Sequence, residues 1–139
     1  MVRSLLLTMF GMVVLAGCGG NGPAYTGPTR YSVSGKVTWQ GEPIAHGRFA
    51  LIPEDEKLNP AGADIVDGMY SIPDVKGPNK GAYLVQVFAF KPTGKKVKDA
   101  DSGAETDELE QIIPAKYNGA TELTTSISGA DSALNFDLQ

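Results

Sequence analysis

The residues that could carry chemistry are few, and they begin with a single cysteine. Cys18 is the only cysteine and His46 the only histidine among 139 residues. One cysteine excludes an internal disulfide and a multi-cysteine zinc site, and one histidine leaves too few ligands for most histidine-based metal sites. The thiol of Cys18 is therefore the first reactive group to consider.

Cys18 follows a segment with the composition of a secretory signal. Arg3 supplies one positive charge, and residues 5–16 are apolar except for one threonine. This apolar run is shorter than the roughly 20 residues that a membrane-spanning helix needs. The sequence therefore predicts a signal peptide over residues 1–17.

The residues next to the cysteine resemble the lipobox of bacterial lipoproteins, in the order Leu15, Ala16, Gly17, Cys18. The resemblance implies lipid attachment to the Cys18 sulfur and cleavage before it, so that the membrane becomes a partner through covalent lipid. Two or three acyl chains anchor a protein stably, whereas one gives marginal binding. Gly19, where an aspartate would favour inner-membrane retention, implies residence in the bacterial cell envelope, at the outer membrane facing the periplasm or cell surface.

A second candidate site is a run of carboxylates. They occupy positions 1, 3, 7, 9 and 12 of a twelve-residue window, the spacing of an EF-hand calcium loop: Asp99, Asp101, Glu105, Asp107 and Glu110. Position 6, where the loop needs glycine for its sharp turn, is Ala104. The sequence favours a solvated acidic loop without a metal, and calcium binding is the alternative.

The overall charge argues against one class of partner. The chain has 16 acidic and 12 basic residues, and its basic residues cluster only at Lys95, Lys96 and Lys98. This distribution lacks the basic footprint of a nucleic-acid-binding protein. We expect no nucleic-acid partner and no cofactor.

The elements that must position these residues follow from composition and periodicity. An apolar fraction of 42% with 20% charged residues is typical of one globular domain. Period-two alternation, as in Val33, Val37 and Trp39, predicts half-buried strands, and Asp67-Gly68 predicts a hairpin turn. Strands are predicted near 32–39, 48–53, 64–67, 69–72, 82–91, 123–127 and 133–138, a polar loop over 54–63, and a charged insertion over 93–110 with helical turns within 105–113.

These predicted strands alternate with turns rather than with helices. The expected fold is all-β, an antiparallel β-sandwich of about seven strands with one long charged loop. The expected organisation is a signal peptide over 1–17, a lipidated cysteine with a glycine- and proline-rich flexible spacer over 18–30, and the sandwich domain over 31–139.

Several motifs in this order resemble the carboxypeptidase regulatory-like domain, whose sandwich is prealbumin-like (transthyretin-like), with an Ig-like topology. They are 33–37 (VSGKV), 41–44 (GEPI), 67–72 (DGMYSI) and 81–87 (GAYLVQV). The tail, with 113–118 (IPAKYN) and 135–138 (NFDL), is similar to that of small envelope lipoproteins built on one such domain. The resemblance implies a non-enzymatic structural or interaction module, and the partners expected for it are envelope proteins or polysaccharide. The catalysts of this fold need more than one histidine, so no enzyme is expected.

Two further hypotheses concern other side chains. Trp39, Tyr70, Tyr83 and Phe88 are candidates for a saccharide-stacking platform, although aromatic residues of a small sandwich more often form its core. A Lys36–Asn135 isopeptide bond is disfavoured, because both residues alternate with the apolar sets of their strands. The expected function is thus a lipid-anchored structural or protein-interaction module, with a ligand-binding lipoprotein, for saccharide or calcium, as the alternative.

Overall fold

The computed structural model describes residues 24–139, and in this range the chain is built from strands without an α-helix. The predicted all-β class is confirmed. The strands are β1 (Val33–Trp39), β2 (Glu42–Pro43), β3 (His46–Pro53), β4 (Ala61–Val66), β5 (Met69–Ile72), β6 (Gly81–Lys98), β7 (Glu105–Gln111), β8 (Thr124–Ile127), β9 (Ser132–Ala133) and β10 (Phe136–Leu138). Two 3₁₀ turns, Asp74–Lys76 and Ala115–Tyr117, lie between strands.

Two-residue turns set the hairpin registers. Asp67 and Gly68, with φ of 50° and 76°, join β4 to β5, and Gln40 and Gly41, with φ of 52° and 82°, join β1 to β2. Positive φ at both turn residues matches the right-handed twist of the flanking strands, and glycine adopts it without steric cost. The hairpin predicted at Asp67-Gly68 is confirmed.

The strands form one connected sheet in the order β10-β1-β5-β4-β3-β6-β7, with β2 and β9 also paired to β1 and β8 to β6. All pairs are antiparallel except those of β1 with β9 and β10, which are parallel. The expectation of a purely antiparallel sheet was wrong at this edge. The C-terminal segment reaches β1 from the far end of the chain and lies along it in the same direction, close enough that a Cβ on Gly35 would overlap the Leu134 carbonyl.

A single apolar core joins strands that are distant in the sheet. The ring centroids of Phe49 in β3 and Phe136 in β10 are 5.6 Å apart. These strands are four positions apart in the sheet, which in a flat sheet would separate them by roughly 19 Å. The sheet therefore bends over its own core, whose fully buried members are Val33, Val37, Phe49, Leu51, Ile65, Ile72, Tyr83, Val85, Val87, Ala89 and Ile127.

Strand β6 is longer than predicted, and the segment that follows it is not helical. The predicted loop over 93–110 and the predicted helical turns over 105–113 are wrong: β6 continues to Lys98 and pairs with β7. Glu, Leu and Gln are good helix formers, but helix propensity is a weak bias that tertiary pairing commonly overrides. We call residues 91–98 and 105–111 the hairpin arm; all its residues are exposed except Glu108 and Gln111, which are partly buried.

Candidate functional site

The predicted lipid-attachment site lies outside the described residues. Cys18 and the lipobox residues Leu15, Ala16 and Gly17 precede Ala24, the first residue that the structure describes. Among residues 24–139, no helix is long and apolar enough to cross a membrane.

The carboxylates of the EF-hand-like spacing are spread along the hairpin arm. Asp99 caps the tip, where its Oδ1 accepts hydrogen bonds from the backbone N–H groups of Asp101 and Ser102 and from the Ser102 hydroxyl. These hydrogen bonds lower the pKa of Asp99, and the bond from the backbone N–H of Ser102 has the largest effect. Along β7, Glu105 and Asp107 alternate with Glu110, so that they point to opposite faces of the strand. Within 24–139 the structure gathers no three His, Cys, Asp or Glu side chains as a metal cluster.

The aromatic side chains proposed for saccharide stacking are not gathered on one surface. Tyr70 and Tyr83 are buried in the core, and Phe88 is half-buried. Trp39 is half-buried and meets the ring of Tyr117 edge-on, with centroids 6.1 Å apart and the planes at 75°. A flat sugar-stacking platform needs exposed, coplanar rings, and these four side chains do not form one.

The backbone places Lys36 and Asn135 beside each other, with both side chains exposed. The Asn135 Oδ1 accepts a hydrogen bond from the backbone N–H of Lys36 at 2.8 Å. The exposed positions agree with the strand alternation that argued against an isopeptide bond, since that reaction requires an apolar interior.

An exposed apolar surface lies where β3 meets the base of the arm. His46 pairs with Val66, and Pro92 pairs with Leu109, on neighbouring strands. We call the exposed side chains of His46, Val66, Phe90, Pro92 and Leu109 the outer apolar strip; Phe90 is 40% exposed. It borders a cleft of about 410 Å³ lined by His46, Gly47, Arg48, Asp64, Phe90, Pro92 and Leu109. Its apolar residues Phe90, Pro92 and Leu109 come from β6 and β7, and the charged register partners Arg48 and Asp64 lie on β3 and β4.

His46 is exposed to solvent. It begins β3 and belongs to the lining of the cleft. A smaller cavity of about 220 Å³ shares His46 and Phe90 with this cleft and is also lined by Trp39 and Ile112. The sequence did not place these side chains together, because the contacts join residues far apart in the chain.

A buried asparagine organises the opposite end of β6. Asn79 is fully buried, and its amide Nδ2 donates to the backbone carbonyls of Pro28 and Thr29 at 2.8 and 3.0 Å. Its Oδ1 accepts from the backbone N–H and the side-chain amide of Asn59. Its own backbone N–H donates to the Tyr83 hydroxyl at 2.8 Å, and burial raises the pKa of that hydroxyl.

Tyr25 and Arg30 extend this cluster toward the start of the described chain. The Arg30 guanidinium lies 3.8 Å from the centre of the Tyr25 ring and donates to the Val75 carbonyl. It also lowers the pKa of the Tyr25 hydroxyl, which accepts a hydrogen bond from Asn59 at 2.7 Å. We call Tyr25, Arg30, Asn59, Asn79 and Tyr83 the clasp. It binds residues 25–30, predicted as part of a flexible spacer, to the domain.

Searches of protein-family models, of curated proteins and of solved structures found no match to this chain.

Proposed function

We propose that this chain is a lipid-anchored protein of the bacterial envelope that acts, without catalysis, as a structural or protein-interaction module. The outer apolar strip is the observation that carries the interaction role. Exposed apolar patches rimmed by polar groups are typical of contact surfaces. Here the apolar residues Phe90, Pro92 and Leu109 of β6 and β7 lie beside the charged register partners Arg48 and Asp64 of β3 and β4.

The proposal includes a β-sandwich of the carboxypeptidase regulatory-like type. The bend that brings Phe49 against Phe136 supports two facing layers around one core. The motifs of the resemblance also fall on strands and turns of this chain, since VSGKV begins β1 and DGMYSI spans the turn and strand β5.

The anchor is supported by the sequence pattern at Leu15–Cys18, and it is tested by intact mass. We expect the chain purified from bacterial membranes to begin at Cys18 and to carry the mass of diacylglycerol, with or without a further acyl group. Cys18→Ser should lack the lipid and leave the membrane fraction, whereas Gly19→Ser, outside the lipobox, should retain both. Wild-type protein without lipid would contradict the anchor.

The interaction role is tested at the outer apolar strip. A photo-crosslinking amino acid at Leu109, which is 58% exposed, should give discrete protein adducts in the intact envelope. The same amino acid at Lys57, on an exposed loop away from the strip, serves as the matched control. Equal adduct patterns from both positions, or none from Leu109, would contradict a role for this surface.

A further inference from the structure

The hairpin arm separates charge between its two strands. Its β6 strand carries four lysines and no acid, and its β7 strand carries four acids and no base: Lys91, Lys95, Lys96 and Lys98, against Glu105, Asp107, Glu108 and Glu110. Register partners have opposite charge, as in Lys98 with Glu105. Lys96 Nζ contacts Asp107 Oδ1 at 2.6 Å, with both side chains at least half exposed. The arm is therefore nearly neutral as a whole but has one basic and one acidic side.

Both edges of the arm are free in the described part of the chain. β7 ends the strand order, so its outer edge has no neighbour. β6 pairs with β3 only as far as Ala89 and with β8 only as far as Leu84, so beyond Phe90 its sole partner is β7. Unpaired strand edges expose backbone N–H and C=O groups that pair readily with another strand.

Edges of uniform charge repel identical copies, which is a common protection against edge pairing. The arm differs because its two edges have opposite sign. Pairing of like edges would oppose acids to acids or lysines to lysines, whereas the acidic edge of one copy complements the basic edge of another. The occupant that this pattern fits is a second copy of the same chain.

We propose that the arms of neighbouring copies pair side by side, with β7 of one copy against the β6 edge of the next. Because β6 and β7 run antiparallel within an arm, two arms that point in the same direction bring β7 antiparallel to the adjacent β6. The pairing thus continues the antiparallel sheet of the arm. Such a contact joins two different surfaces, so it leaves a free edge at each end and extends into rows.

The arms of neighbouring copies would point in the same direction because of where the arm lies relative to the clasp. Tyr83, in the clasp, and Lys98, at the arm tip, lie fifteen residues apart on β6, a span of roughly 50 Å in an extended strand. This step rests on the proposed lipid anchor, because Tyr25 of the clasp is near Cys18 in the sequence. Anchored copies would then all direct their arms away from the bilayer.

The pairing is confined to the outer part of the arm, and this makes it weak in dilute solution. Pro92 has no N–H to donate, and the β6–β7 register shifts between Pro92 and Lys96. The hydrogen-bonded pairing between copies is therefore limited to residues 95–98 of one copy and 105–108 of the next. Confinement of copies to a membrane raises their effective concentration, so rows form on membranes first.

The test uses the full chain on phosphatidylcholine vesicles with a carbodiimide, which joins carboxylates to amines without a spacer. We expect wild-type protein to give a ladder that continues beyond the dimer and that falls several-fold between 50 and 500 mM salt. Glu105→Lys with Asp107→Lys, or Lys96→Glu with Lys98→Glu, should each reduce the ladder at least tenfold. A mixture of the two variants should restore it, since one then supplies basic edges and the other acidic edges.

Matched variants with the same change in charge lie outside the arm. Glu54→Lys with Glu56→Lys, and Lys57→Glu with Lys80→Glu, are at exposed positions and should leave the ladder unchanged. The proposal is overturned if arm reversal has no effect, if the mixture fails to restore the ladder, or if wild-type products stop at the dimer. Unfolding of an arm variant alone does not mimic the expected result, because mixing would then restore nothing.

Failure of the lipid anchor is distinguished from failure of the pairing by the intact mass of the same sample. If Cys18 carries no lipid, its thiol, the only one in the chain, is coupled to a maleimide lipid in the vesicles. This coupling reproduces the tether, and the ladder then reports on the arms alone.

Discussion

The two halves of strand β6 show how one backbone conformation serves two purposes. From Tyr83 to Ala89 every second side chain is fully buried. From Lys91 to Lys98 all side chains are exposed, and Val97 has 43% of its surface accessible. The first half is held by the core, by β3 along its whole length and by β8 as far as Leu84. Among residues 24–139, the second half pairs only with β7, and its side chains pack on no core.

This difference indicates where the stability of the domain resides. Burial of apolar surface is the dominant favourable contribution to folding, and the outer half of β6 buries almost none. Exposed ion pairs contribute little. The arm can therefore change its charges at small cost to the fold, while the inner half cannot change without loss of stability.

The largest expected effect comes from an aromatic residue opposite the buried half. Phe49 is the register partner of Val87 and stacks on Tyr70 at 4.0 Å between centroids. Phe49→Ala should lower the free energy of unfolding by about 3–5 kcal/mol. Phe90→Ala, at the start of the exposed half, should cost less than about 1 kcal/mol. Urea denaturation followed by circular dichroism measures both, and equal losses would contradict the division of β6.

The clasp at the inner end of β6 gives the next largest effect. Asn79→Ala leaves the Pro28 and Thr29 carbonyls without their donor and should lower the free energy of unfolding by about 1–3 kcal/mol. It should also release residues 25–30, so that trypsin cleaves after Arg30 much faster than in wild type. Mass spectrometry detects the fragment that begins at Tyr31. The exposed Asn135→Ala serves as the control, and equal cleavage in both variants would argue against the clasp.

Alkaline pH should weaken the buried region through Tyr70. Burial raises the pKa of its hydroxyl far above the ordinary value near 10. Above pH 10 the unfolded chain therefore loses this proton while the folded chain retains it, and stability falls as pH rises. Between pH 9 and 11 wild type should lose about 1.4 kcal/mol from this group. Tyr70→Phe lacks this loss, so a constant stability difference between the two proteins over this range would contradict it.

The smallest effect is expected in the arm. A double-mutant cycle on Lys96→Ala and Asp107→Ala should give a coupling energy of about 0.2–1 kcal/mol, because both side chains are well exposed. In 1 M salt the coupling should vanish, since the screening length falls to about 3 Å. Chemical denaturation at low and high salt provides the comparison. A coupling that persists in high salt would mean that the arm is more shielded than its exposure indicates.

The buried half of the fold was largely accessible to prediction from the sequence. Val33 and Val37 alternate with polar residues, and Asp67-Gly68 has a strict backbone requirement, so both signals are local. The hairpin arm could not be predicted from the sequence, because Pro92 and Gly94 within β6 are residues typical of a loop. Only pairing with β7, which no local pattern encodes, keeps this segment extended.

The clasp was also inaccessible. Asn79 meets Pro28 and Thr29 across some fifty residues of chain, and asparagine next to glycine and proline suggests a turn. Its burial depends on strands brought together by the fold. By contrast, the pattern at Cys18 can be recognised without any tertiary structure, and the lipid attachment that it implies remains a prediction.

The clasp also sets the length of the tether that the proposed lipid anchor would use. A spacer free from Cys18 to Arg30 could extend over about 43 Å, at 3.6 Å per residue. With Tyr25 fixed to the domain, only seven residues remain, and the same limit is about 25 Å. Because accessible volume scales with the cube of this radius, the domain would explore roughly a fifth of the space above the bilayer. The buried side-chain amide of Asn79 would thus limit how far the domain can extend from the membrane.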